Sequence, residues 1–303
     1  MITTNLTGNL GNHMWQYSVC RAVAEKLGYE WGINPSPSHD YHSGMNQMYF
    51  MDVNFGKFPE GEFIEFHEKW TTYRHMDEVN ITFLDPRVHQ ISDGTRMMGD
   101  NGALGGIYQC EDYLIEKKEE IVKWFNIKNE YKDKFDSEIA KIGIILDENT
   151  CVINFRGGEY RGLGNVILRR EYWKDSINHM LSLNPQMKFI IVTDDPVCAS
   201  SFMPFEIPTV HGEIGLDFYI VNQSKWVILS NSTFGWWAGW LNSRAEKIIA
   251  PKYWARHNVS DGYWATGESY TRGFSYLDRD GSIFDYETCK KEASNYYKLK
   301  NII

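Results

Sequence analysis

KWVILSNSTFGWWAGWLNSRAEKIIAP, residues 225–251, holds the alternation that decides the fold. KWVIL and KIIAP are unbroken apolar runs of strand length, and the segment between them carries a helix through GWWAGWL. The same rhythm runs upstream: CVINF at 151, a helix over about 171–183 ended by Asn184-Pro185, KFIIVTDD at 188, and a helix from about 215. Strands that are continuously apolar and joined by helices belong to a parallel sheet covered on both faces. In such sheets ligands bind beyond the carboxyl ends of the strands.

Three of those ends carry polar chemistry. The first reads NFRGGEY, residues 154–160, where glycines admit a close ligand and Arg156 offers a planar fork suited to phosphate. The second is Thr193-Asp194-Asp195, and the third is Ser230-Asn231-Ser232-Thr233, whose hydroxyls and free N–H groups open a helix and form an anion site. Each has a structural reading too: a salt bridge for Arg156, helix caps for Asp194-Asp195 and for Ser232-Thr233. Their coincidence on one sheet points to a nucleotide-diphosphate site made of Arg156, Gly158, Asp194, Asp195, Ser230, Asn231, Ser232 and Thr233. The three tryptophans that follow, Trp236, Trp237 and Trp240, read as core that fixes the helix.

At 303 residues the chain has the length of two domains. Its 40 acidic and 31 basic residues give a net charge of −9, which disfavours nucleic acid and anionic lipid as partners. The five cysteines are scattered, with no metal-ligand spacing, and read as buried thiols. No basic-then-apolar leader and no run of about 18 apolar residues is present, so the expectation is a soluble, cytoplasmic protein without an integral membrane segment. The sequons at Asn5, Asn80, Asn231 and Asn258 then carry no glycan.

At the start, the apolar ITTNL leads through Gly8 and Gly11 to a helix with Asn12 as its predicted cap, Trp15, Val19, Val23 and Leu27 on its apolar face, and Gly28 at its end. The glycines follow G-x-x-G and not G-x-G-x-x-G, which argues against a dinucleotide-dependent oxidoreductase. Residues 32–105 lack sustained periodicity. The charged stretch over 111–140 predicts surface helices with Leu114, Ile121 and Phe125 buried.

Four ordered segments resemble a known family. GNLGNHMWQYSVCRAVAEKLG is similar to the G-x-L-G-N-Q-M-F-Q-Y opening of the family 11 glycosyltransferases, the alpha-1,2-fucosyltransferases, and GGIYQCEDYL to their G-Y-x-Q-S-x-x-Y-F segment. NFRGGEY resembles their H-x-R-R-G-D-Y, and SNSTFGWWAGWLN with KIIAPKYW resembles S-N-S-T-F-S-W-W-x-A-W-L and K-x-x-x-x-P-x-x-W. The resemblance implies an α/β, GT-B-like fold of two Rossmann-like domains with a cleft between them. On this chain they fall at 1–145 on the acceptor side and 146–270 for the nucleotide sugar, with 271–303 a tail containing a helix. It further implies inverting, metal-independent transfer of L-fucose from GDP-fucose to a glycan hydroxyl, with no cofactor beyond that donor. Acceptor specificity falls to residues 32–105. A soluble bacterial or viral enzyme of surface-glycan synthesis is the expectation, with peripheral contact to a lipid-linked acceptor; the oligomeric state is not legible.

The departures are specific. Asn154 stands for the histidine, Gly157 for the second arginine, Glu159 for the aspartate, and His13 for a glutamine. Arg156 carries over as the phosphate clamp. Glu159 and His13 are the candidates for the base, and Asp217 matches an acidic position of the family while also suiting a helix start. Asp278-Arg279-Asp280 spells the D-x-D of metal-dependent glycosyltransferases but reads as a turn. These departures leave open another nucleotide sugar, or a glycan- or nucleotide-binding protein with weakened catalysis.

Overall fold

The structure is a computed structural model that describes residues 1–34, 46–68, 91–92, 102–106, 108–259 and 270–299. Much of the 32–105 stretch assigned to specificity, and the sequon at Asn80, lie outside the described residues. Contacts divide the described residues into two units, one up to Lys128 and one from Asn129 onward.

The first unit is built on a five-stranded sheet of order β2-β1-β5-β3-β4, formed by β1 (Ile2–Thr4), β2 (Trp31–Ile33), β3 (Ile64–Glu68), β4 (Ile91–Ser92) and β5 (Gly102–Gly105). All pairs are parallel except β3 with β4. Helix α1 (Leu10–Leu27) starts earlier than the sequence predicted. Its N-cap is Asn9, whose carbonyl accepts the N–H groups of Asn12 and His13 at 2.9 and 3.1 Å, so Gly11 and Asn12 are already helical. It ends at Gly28, which holds the left-handed φ of +74°. The charged stretch forms two short 3-10 turns, then α2 (Lys118–Trp124) and α3 (Asn129–Lys141); Leu114, Ile121 and Phe125 are buried as predicted.

The second unit carries a seven-stranded sheet of order β12-β11-β10-β9-β6-β7-β8. Its strands are β6 (Thr150–Phe155), β7 (Lys188–Thr193), β8 (Thr209–Val210), β9 (Trp226–Leu229), β10 (Lys247–Pro251), β11 (Ser275–Leu277) and β12 (Ile283–Phe284). Every neighbouring pair is parallel except the last, β11 with β12. Helices α4 (Arg170–Leu183), α5 (Pro196–Phe202), α6 (Ile214–Gln223), α7 (Thr233–Trp240) and α8 (Tyr286–Leu299) complete the unit. The predicted strand and helix alternation is present throughout.

Burial on both faces explains the unbroken apolar strands. Alternate residues of β6, Cys151, Ile153 and Phe155, join Trp173, Ile177 and Met180 of α4 and Cys198 and Ala199 of α5 in one core, with the Phe155 and Trp173 rings 5.0 Å apart. The intervening Asn154 meets α7 instead, at Gly235. Burying side chains of this size contributes about 1.5–3 kcal/mol each.

Helix α3 precedes the domain boundary expected at 145, yet it groups with the second unit. Its Phe135 ring lies 5.6 Å from that of Tyr219 on α6, and the Tyr219 hydroxyl donates to Asp136 at 2.9 Å. The segment expected as a tail adds β11 and β12 to the same sheet. Lys252, buried at the end of β10, pairs with Asp278 at 3.0 Å and with Glu292 of α8 at 2.6 Å. The D-x-D stretch is the turn between β11 and β12, where Gly281 N–H donates to Asp278 O at 3.1 Å. All five cysteines are buried free thiols.

Candidate functional site

Strands β6, β7 and β9 are adjacent and parallel, so their carboxyl ends emerge side by side. The three polar segments singled out in the sequence therefore share one edge. Arg156 leaves β6 and forms an ion pair with Asp194 at the end of β7, and the same carboxylate accepts the Gly157 N–H at 2.8 Å. A carboxylate that holds both a guanidinium and the adjoining backbone amide fixes the side chain and its turn together. Glu159 lies 3.8 Å from the other arm of Arg156 and is exposed, at 78% for its side chain.

Asp195 does two things. Its Oδ1 accepts the Cys198 N–H at 3.0 Å, capping α5, and its Oδ2 lies 3.4 Å from Arg161. The cap reading is therefore correct for Asp195. Residues Gly158–Gly162 form a 3-10 turn that the sequence did not reveal. It brings Tyr160 across to β9, where its hydroxyl donates to Asn231 O at 3.4 Å.

At the end of β9, Ser230, Asn231 and Ser232 are buried, and Thr233 opens α7. Ser232 occupies the N-cap position without a side-chain cap bond. The Asn231 Nδ2 donates to Val166 O at 2.8 Å, whereas its buried Oδ1 has no partner among the described residues. A buried acceptor left this way is costly unless a ligand or water meets it. Trp236, Trp237 and Trp240 are all core; Trp236 stacks on Trp240 at 5.3 Å and Trp237 stands edge-on to both.

Asn154 is buried on β6 with the Ser230 hydroxyl 3.3 Å from its Oδ1. A Cβ at position 235 would strike that oxygen, so Gly235 is what lets α7 lie on β6 here. The amide is thereby used in packing between strand and helix. Gly157 is equally confined, since a Cβ there would sit 2.6 Å from the Asp195 Cβ. A second arginine at this position has no room.

Asp217 lies on the first turn of α6, buried, and accepts the Gly212 N–H at 3.0 Å. Burial pushes its carboxyl up to about 6, against the hydrogen bond from Gly212 and the nearby His211, which favour the carboxylate; Asp194 adds to the rise. His211 is exposed and its Nδ1 meets Thr193 O at 2.9 Å, beside the same strand ends. Asp217 was singled out in the sequence and does stand at a helix start, whereas His211 was not, because the short strand β8 that precedes it has no readable pattern.

His13 is fully buried on α1 of the first unit. In that unit the two other motif segments meet. Gln16 accepts the Thr7 N–H at 2.8 Å and donates to Gly106 O at 3.0 Å, and Gln109 donates to Asn12 at 3.1 Å. They lie past the carboxyl ends of β1 and β5. Among the described residues no group of three or more His, Cys, Asp or Glu could hold a metal ion, and no helix is long and apolar enough to cross a membrane.

Comparison with known proteins places the chain in a family. Residues 123–276, which contain all three strand ends, match the glycosyl transferase family 11 profile. The chain belongs to that family. Among relatives of the family 11 chain, the O-antigen biosynthesis glycosyltransferase WbnK of Escherichia coli is 21% identical over 296 residues, covering 84% of this chain and 94% of WbnK. An alpha-1,2-colitosyltransferase of Escherichia coli is 24% identical over 185 residues, covering 55% of this chain and 61% of that enzyme. Among solved structures, NodZ alpha-1,6-fucosyltransferase co-crystallised with GDP aligns with a TM-score of 0.50 at 12% identity, over 93% of this chain and 97% of NodZ. The fold of this family 11 glycosyltransferase is GT-B-like.

Proposed function

We propose that this glycosyltransferase moves L-fucose, or a closely related sugar, from a GDP-sugar to a hydroxyl of a glycan, with inversion and without a metal. The convergence of Arg156, Asp194-Asp195 and Ser230–Thr233 at one edge of the parallel sheet carries the reading. The donor diphosphate lies against the Arg156 fork and the N-terminus of α7, where Ser232 and the first N–H groups face an anion favourably. The unpartnered Oδ1 of Asn231 accepts from the donor.

In the transfer, the acceptor oxygen forms the new bond to the anomeric carbon as the bond to the diphosphate breaks. The leaving GDP gathers negative charge, and a base takes the hydroxyl proton. Arg156 meets the first need. Glu159, exposed at the same strand end, meets the second. The relative named for colitosyl transfer supports a second reading in which the donor carries a different sugar on the same nucleotide site.

The experiment has two stages. A thermal-shift series with GDP, UDP, ADP, CMP and NAD identifies the nucleotide; a ligand at about 100 times its Kd stabilises the folded state by roughly 2.7 kcal/mol. GDP-fucose turnover on fucose-accepting glycans is then compared for the wild type and Arg156→Ala. Loss of one preorganised donor costs roughly 10²–10³ in rate. Near-wild-type turnover in a folded Arg156→Ala variant refutes the site, and stabilisation by a nucleotide other than GDP refutes the donor.

A further inference from the structure

We infer that Arg161 is the second cation of the donor-diphosphate site, taking the position that Gly157 cannot fill. The inference rests on the donor site proposed above. Position 157 has no space for any side chain, because its Cβ would meet the Cβ of Asp195 at 2.6 Å. The chain instead closes a 3-10 turn, in which the Arg161 N–H donates to Gly157 O at 3.1 Å. That bond sets Arg161 directly beside position 157, on the same edge of the sheet as Arg156.

Each of the two arginines has an aspartate beside it. Arg156 pairs with Asp194, and Arg161 lies 3.4 Å from Asp195, the next residue of the same strand end. Arg161 makes no hydrogen bond through its side chain among the described residues, and that side chain is 68% exposed, whereas its partner Asp195 is 15% exposed. A guanidinium carries five N–H donors, so one long ion pair leaves most of the fork available. Two forks on one edge suit a ligand with two adjacent phosphates, each of which takes charge-assisted bonds. Three carboxylates, Asp194, Asp195 and Glu159, surround these two cations. A diphosphate held by Arg156 alone would face them uncompensated, and the second guanidinium offsets that.

Calorimetric titration of GDP into wild type, Arg161→Ala and Arg161→Lys tests the assignment. The exposed side chain makes both variants foldable, and their melting temperatures without ligand should match the wild type. Arg161→Ala should bind GDP about tenfold more weakly, the effect of losing a charged hydrogen-bond donor. Arg161→Lys should recover part of the loss, and added salt should weaken GDP binding less in Arg161→Ala than in the wild type. Unchanged GDP affinity in Arg161→Ala overturns the assignment and leaves the donor site standing. Failure of the wild type to bind GDP, UDP or ADP overturns the donor site and this inference with it.

Discussion

Gly157→Ala is the sharpest test of how the strand end is built. The new Cβ would lie 2.6 Å from Asp195 Cβ and 3.3 Å from both Asp195 Cγ and Cys198 Cβ, where ordinary contact begins at 3.4 Å. The worst overlap is with a Cβ next to the backbone, so no side-chain rotation relieves it. Asp195 is also tied down as the cap of α5 through its bond to the Cys198 N–H. Overpacking of this kind costs about 1–3 kcal/mol, and displacing the cap adds about 1 kcal/mol. The expected loss of about 2–4 kcal/mol lowers Tm by roughly 4–16 °C in a unit of this size. Scanning calorimetry reads it directly. The double variant Gly157→Ala with Asp195→Gly removes the opposing Cβ at a cap position where glycine costs only a few tenths of a kcal/mol, so it should regain most of the loss. A single variant that melts with the wild type, or a double variant no better than the single, refutes the reasoning. Gly157→Arg, which restores the family's paired arginines in sequence, should lose more stability still and gain no GDP affinity.

Two other perturbations report on neighbouring features. Asp217 has a folded-state pKa of about 6, raised mainly by burial, so the stability it contributes is full below its unfolded pKa and is lost as pH rises through about 6. Asp217→Asn should therefore gain on the wild type between about pH 4 and pH 6, by about 3 kcal/mol at most, and hold a constant lead above that range; urea midpoints across pH check it, and a lead that shrinks with rising pH contradicts it. Lys252 is 3% exposed at its side chain and bonds Asp278 and Glu292 while lying 3.7 Å over the Phe284 ring. Lys252→Ala should cost about 3 kcal/mol, the low end for a broken buried pair since both partners keep some water contact. It should also expose α8 to limited proteolysis, and unchanged protease resistance would show that the helix docks by other means.

The sheet of the second unit was legible because its strands are buried on both faces and so lack polar interruptions. CVINF, KFIIV, WVIL and KIIAP each became a strand, and the polar residues that end them fell on one edge. What escaped the sequence depends on residues far apart along the chain. The turn over 158–162 follows Gly157, which lies against Asp195, a contact that no local pattern encodes. Asn154 reads as a lost histidine until Gly235 is seen against it. The C-terminal segment reads as a tail because the lysine that holds it sits on another strand end. Helix α1 starts at Leu10, ahead of the Asn12 cap, because the Asn9 carbonyl already accepts the Asn12 and His13 N–H groups.

Carboxylates at the proposed anion site pose an apparent contradiction, to which their anchoring gives an answer. Both aspartates are anchored, Asp194 by the Gly157 N–H and Asp195 by the Cys198 N–H. A guanidinium held by an anchored carboxylate is oriented before the ligand arrives, so its ordering entropy is not charged against binding or the transition state. The cost is electrostatic, since each aspartate also repels a phosphate that approaches its arginine. With the proposed nucleotide-sugar donor, that repulsion would also weaken binding of the nucleotide product and so favour its release after transfer.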